Sequence, residues 1–71
     1  MATWKELKRY CHNDGWTLYK ETDHYYFKKE QGEEVLRTTV SKGTGEIPKK
    51  LFQEILKKQL KTDKENFNKK I

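Results

Sequence analysis

The sequence predicts an α+β fold of order α-β-β-β-α, a three-stranded antiparallel sheet with both helices on one face. Three observations predict it. Apolar residues recur at helical spacing near both ends of the chain, and alternate through its middle. The middle segments are joined by turns too short for anything but antiparallel neighbours. Both end segments are amphipathic, so each must bury a stripe, and one sheet face serves both.

The first helix opens at Thr3-Trp4-Lys5-Glu6, which fits the S/T-x-x-E capping box. Trp4, Leu7 and Cys11 form its apolar stripe, and Asn13-Asp14-Gly15 stops it, with Gly15 free to adopt the left-handed backbone past a helix end. Three strands follow. Trp16–Lys20 alternates with Trp16 and Leu18 on one face. After a turn at Glu21-Thr22-Asp23, His24-Tyr25-Tyr26-Phe27-Lys28 places Tyr25 and Phe27 on one side and His24, Tyr26 and Lys28 on the other. Gln31-Gly32-Glu33 is the second turn, and Val35 to Ser41 the third strand, with Leu36, Thr38 and Val40 sharing a face. A loop from Ser41 to Glu46 leads to Pro48, well placed in the first turn of a helix whose stripe is Leu51, Phe52, Ile55, Leu56 and Leu60. The expected core is Trp4, Leu7, Cys11, Trp16, Leu18, Phe27, Leu36, Val40, Phe52, Ile55 and Leu56.

Composition bounds the rest. The 71 residues allow one compact domain, expected over residues 1–61. From Thr62 the chain is polar, and 62–71 reads as a basic tail, frayed or disordered. Length excludes large multi-layer enzymes and nucleotide-cofactor domains. The charged opening argues against a signal peptide, and the lack of a long apolar run against a membrane span. A lone Cys11 cannot form an internal disulfide, and one Cys with two His argues against structural zinc. The expected compartment is a reducing cytoplasm, and no cofactor is expected. Charged residues are 38% of the chain and the net charge is +5. Residues 1–46 balance to zero, so the whole excess lies in 47–71. That reads either as a footprint for a polyanion, RNA or DNA first, or as a solvated lysine-rich face.

Element order and layout resemble the double-stranded-RNA-binding fold, and three stretches resemble one family within it, the HicA toxins of bacterial toxin–antitoxin modules. Gly15-Trp16-Thr17-Leu18 is similar to the family's opening of the first strand. Asp23-His24-Tyr25-Tyr26-Phe27 resembles its G-S-H-x-x-F segment, with His24 at the catalytic histidine. Ile47-Pro48-Lys49, followed by Ile55-Leu56-Lys57, is similar to its I-P-x-G-T-L-x-x-I-L-K/R helix opening. The chain departs from the pattern with Thr22-Asp23 before the histidine and Lys50-Leu51 in the last helix. The resemblance implies a metal-independent endoribonuclease cutting mRNA with a single histidine, and a HicB-like antitoxin as partner.

The residues suit that chemistry. RNA carries its own nucleophile, the 2′-hydroxyl, so cleavage needs a base, cations for the phosphorane-like transition state and a proton donor. Imidazole as a class titrates near neutral pH and suits either proton role, which makes His24 the catalytic candidate. Lys20, Tyr26, Lys28, Lys29, Arg37, Lys49 and Lys50 are the candidate RNA contacts. His12, near the end of the first helix, suits the helix dipole rather than catalysis. A non-catalytic RNA-binding module and a protein-interaction domain remain open on the same fold.

Overall fold

The computed structural model describes residues 2–43 and 45–71; Thr44, in the expected loop, lies outside the described residues. Helix α1 (Trp4–Asn13) is followed by strands β1 (Thr17–Glu21), β2 (His24–Gln31) and β3 (Glu34–Ser41). Then come α2 (Lys49–Glu54), which runs on as a π-helical turn over Ile55–Gln59, and a short α3 (Lys64–Lys69). The sheet has the order β1-β2-β3 with both pairings antiparallel, as expected of a meander.

Helix α1 is bounded by the devices read from its sequence. The Thr3 amide donates to Glu6 Oε1 at 2.9 Å and the Glu6 amide to Thr3 Oγ1 at 3.2 Å, completing the capping box. At its other end Gly15 has φ +82° and the Trp16 amide reaches back to the Cys11 carbonyl at 2.9 Å. That bond closes the helix with the left-handed residue where only glycine is unstrained.

The core lies on one side of the sheet. Phe27 of β2 and Leu36, Thr38 and Val40 of β3 are buried at alternating positions. They meet Leu7, Tyr10 and Cys11 of α1 and Phe52, Ile55 and Leu56 of the second helical segment. Both helices therefore cover the same face. Thr38, the one buried polar residue among those described, donates its hydroxyl to Gln59 Oε1 at 2.7 Å.

Three expectations are corrected, and the second helix ends in a form that the sequence reading leaves open. Leu18 does not enter the core: it is 43% exposed. It pairs with Phe27 on the helix-facing side, but β1 is an edge strand and Leu18 lies outside the core cluster. Trp4 is partly buried and packs against the core from outside. The second helix widens into a π turn, closed by the Leu60 amide on the Ile55 carbonyl (2.8 Å), and then reverses with Lys61 at φ +51°. The tail is ordered. Asp63 caps α3 by accepting from the Asn66 amide at 2.7 Å, and Phe67 is 1% exposed. Its ring stacks on Tyr10 (centroids 5.1 Å) and meets Phe52 edge-on (5.0 Å). The compact unit thus extends beyond residue 61, because Tyr10 and Phe52 leave a slot that this one ring fills.

Among the described residues, no helix is long and apolar enough to cross a membrane.

Candidate nucleic-acid interface

The sheet face away from the helices carries the candidate residues, and register sets their positions. On β2, His24, Tyr26 and Lys28 alternate with the core-facing Tyr25 and Phe27. On β3, Ser41 lies opposite His24, Thr39 opposite Tyr26 and Arg37 opposite Lys28. Successive same-face residues along a strand are about 6.6 Å apart. The result is a grid with the histidine at one end and two cations side by side at the other.

Strand β1 completes the grid through a β-bulge. Leu18 pairs with Phe27 and Lys20 with Tyr26, so Tyr19 is an extra residue with no partner of its own. Straight alternation from Leu18 keeps Lys20 on the helix-facing side. The bulge brings both Tyr19 and Lys20 to the open face. There the Tyr19 and Tyr26 rings stand 6.3 Å apart, tilted by 56°. Lys20 Nζ lies 5.4 Å from the Tyr26 ring centre and Lys28 Nζ 5.6 Å from that of Tyr19. Two rings and two cations interleave, an arrangement in which each ammonium is drawn to an aromatic face.

No carboxylate pairs with the cations of this face among the described residues. The ion pairs formed among the described residues are Lys29–Asp14, Lys70–Asp14, Lys42–Glu21 and Lys61–Glu34. Lys20, Lys28 and Arg37 belong to none of them. Lys28 and Arg37 also face each other across strands, where like charges repel. Glu30 follows one row further along β2 and makes no ion pair among the described residues.

His24 is exposed at the first position of β2, where its carbonyl accepts from the Thr22 amide at 3.1 Å across the tight turn. It borders a shallow cavity of about 350 Å³ shared with Trp4, Thr39, Ser41, Leu51, Ile55 and Gln59. Trp4, Leu51, Ile55 and Gln59 form its helical side, and the cations lie further along the sheet.

Other candidates lie elsewhere. Lys29 points to the helix side, as its odd position in β2 requires, and donates to Asp14 Oδ2 at 2.9 Å. Asp14 also accepts from Trp16 Nε1 (3.0 Å) and pairs with Lys70 (2.7 Å). Burial alone pushes the Asp14 carboxyl up, but the hydrogen bonds from Lys70, Lys29 and Trp16 outweigh it and hold it at about 2. Lys49 lines a separate groove between α1, α2 and α3, and Lys50 is exposed on α2. Cys11 is fully buried, and burial, then the Asp14 charge, pushes its thiol up to about 12. Such a thiol is no nucleophile. Tyr19 is a member of the face that strand alternation does not mark, because only the bulge sets it beside Lys20.

No curated protein and no solved structure matches the chain. The family model for the HicA toxin of bacterial toxin–antitoxin systems matches residues 4–61, which is most of the chain. That span includes both helical stripes, all three strands and the whole open face. The chain therefore belongs to the HicA toxin family, and an antitoxin is its natural partner.

Proposed function

We propose that this toxin is an endoribonuclease that cuts mRNA without a metal ion, with His24 as its one catalytic side chain. His24 takes the proton of a ribose 2′-hydroxyl, whose oxygen then attacks the adjacent phosphorus. The bond from phosphorus to the 5′-oxygen breaks, and that oxygen takes a proton from water. The products are a 2′,3′-cyclic phosphate and a free 5′-hydroxyl. Lys20, one row of the grid from His24, offsets the charge that builds on the phosphorane-like transition state, while Lys28 and Arg37, two rows away, hold RNA phosphates further along the sheet. One positioned acid–base group contributes about 10²–10⁴-fold, which suits a slow enzyme.

The observation that carries this reading is the open face itself: three cations that make no ion pair among the described residues share it with an exposed histidine. Repulsion between Lys28 and Arg37 weakens the fold, and an anionic ligand relieves it. The antitoxin is of the HicB type and covers this face, complementing its charge.

The test compares growth arrest by the wild type with that by His24→Ala, and follows purified protein on RNA in the presence of a chelator. Wild type should arrest growth and leave cyclic-phosphate ends, and a 2′-deoxy residue at the cut should block cleavage. Equal toxicity of the two forms, or cleavage of the deoxy substrate, overturns the reading.

A further inference from the structure

We infer that Tyr19 and Tyr26 form a stacking platform for an unpaired nucleobase of the RNA, so that the toxin selects single-stranded over duplex RNA. This rests on the ribonuclease reading and adds a substrate class to it.

The bulge in β1 is the first support. An unbroken β1 shows either Tyr19 or Lys20 on the open face, never both. The extra residue places a second ring 6.3 Å from Tyr26, with a cation beside each. Tyr19 is 44% exposed, a large apolar surface left to solvent in a chain short of core. Packing does not account for it, since Tyr19 is outside the core cluster.

The pairing of rings with cations is the second support. Base stacking on aromatic rings beside backbone-tracking cations is how single strands are held. Lys20 and Lys28 rest near the ring faces. A base that takes a ring face displaces the ammonium, which swings onto the phosphate next to that base. The cation–π attraction given up is weak and exposed, and a charge-assisted hydrogen bond replaces it. A base within a duplex cannot make this exchange, because its faces are stacked inside the helix.

Position is the third. Tyr26 is two residues from His24 on the same face, about 6.6 Å along the strand. A base on Tyr26 therefore sets its own ribose near the histidine.

The experiment uses the His24→Ala protein, which leaves RNA uncut, and a labelled RNA strand alone or paired with its complement. The single strand should bind roughly tenfold tighter than the duplex, and Tyr19→Ala and Tyr26→Ala should each weaken it by roughly tenfold. Tyr→Phe at either position keeps the ring and should stay within about twofold, and the salt dependence of binding should not change, because every phosphate partner remains in place. Circular dichroism checks each variant; should Tyr26→Ala unfold, Tyr26→Leu and the edge variant Tyr19→Ala carry the test. Duplex preference, absence of RNA binding, or tyrosine variants that bind like the parent overturns the platform. The two readings fail separately. Stacking by a protein that never cuts RNA sinks only the ribonuclease, and cleavage indifferent to both rings sinks only the platform.

Discussion

Lys29 and Asp14, fifteen residues apart, are joined by a 2.9 Å ion pair that fastens the end of α1 to the middle of β2. Lys70 reaches the other carboxylate oxygen at 2.7 Å, so the same aspartate also holds the C-terminus. A cation that the sequence offers to RNA is thus committed to structure, while its neighbour Lys28, on the opposite face, makes no ion pair among the described residues.

Acid stability should report this junction. The Asp14 carboxyl sits at about 2 when folded, below its ordinary 3.8. A depressed carboxyl stabilises the fold above its unfolded value and loses that contribution as pH falls. The loss should therefore run from about pH 4 to about pH 2 and amount to about 1–2 kcal/mol, given that the lysines are partly solvated. Asp14→Asn should flatten the urea-midpoint profile over that window.

The alkaline limb should reflect Cys11 and Tyr10. Burial, aided by the Asp14 charge, pushes both up to about 12, from 9.0 and 10.0. A raised acid keeps its stabilising effect below the unfolded value and loses it as pH rises toward the folded one. Stability should fall from about pH 9 upward, and native Cys11 should resist alkylation at neutral pH while the urea-unfolded thiol reacts freely.

Phe67 should prove essential to folding. Phe67→Ala removes a ring held by Tyr10 and Phe52 and should cost about 3–5 kcal/mol. That is a large share of the roughly 4–10 kcal/mol available to a chain of this size. Thermal denaturation followed by circular dichroism should show a strongly lowered midpoint, and removal of residues 62–71 a comparable loss. An unchanged midpoint would return the segment to the status of a tail.

Lys28→Thr should move stability and RNA affinity in opposite directions. It relieves the repulsion with Arg37 and should stabilise the fold by about 0.5 kcal/mol. It should also weaken RNA binding and lower the salt slope by about 1. Both changes are measurable on one preparation, by denaturation and by binding titration. A variant that loses stability, or binds RNA with the same slope, contradicts the role given to this side chain.

How much of the molecule is legible in its sequence follows from the range of each signal. The ends of helix α1 are readable, since Thr3, Glu6 and Gly15 act within a turn of their own positions. The strands are readable too, and so are the faces of β2 and β3, including the side on which Lys29 lies, from its parity with Phe27. Leu18 departs from expectation because alternation gives a side of the sheet and not whether a helix extends over it. The bulge at Tyr19 is hidden because it exists only as a mismatch with β2. Phe67 is a lone ring in a polar stretch, although Asp63 three residues before Asn66 is a readable cap. Its slot is built by Tyr10 and Phe52, far away in the chain. The histidine and the neighbouring Lys28 can be placed together from parity alone; the second ring cannot.

The bulge also makes the edge strand sensitive to a kind of change that ordinary substitution never produces. Beyond Tyr19 every side chain owes its direction to one additional residue in the ladder. Removing either Tyr19 or Lys20 would close the bulge into regular pairing and leave only the other of the two on the open face. Part of this surface is therefore written as a tally of positions.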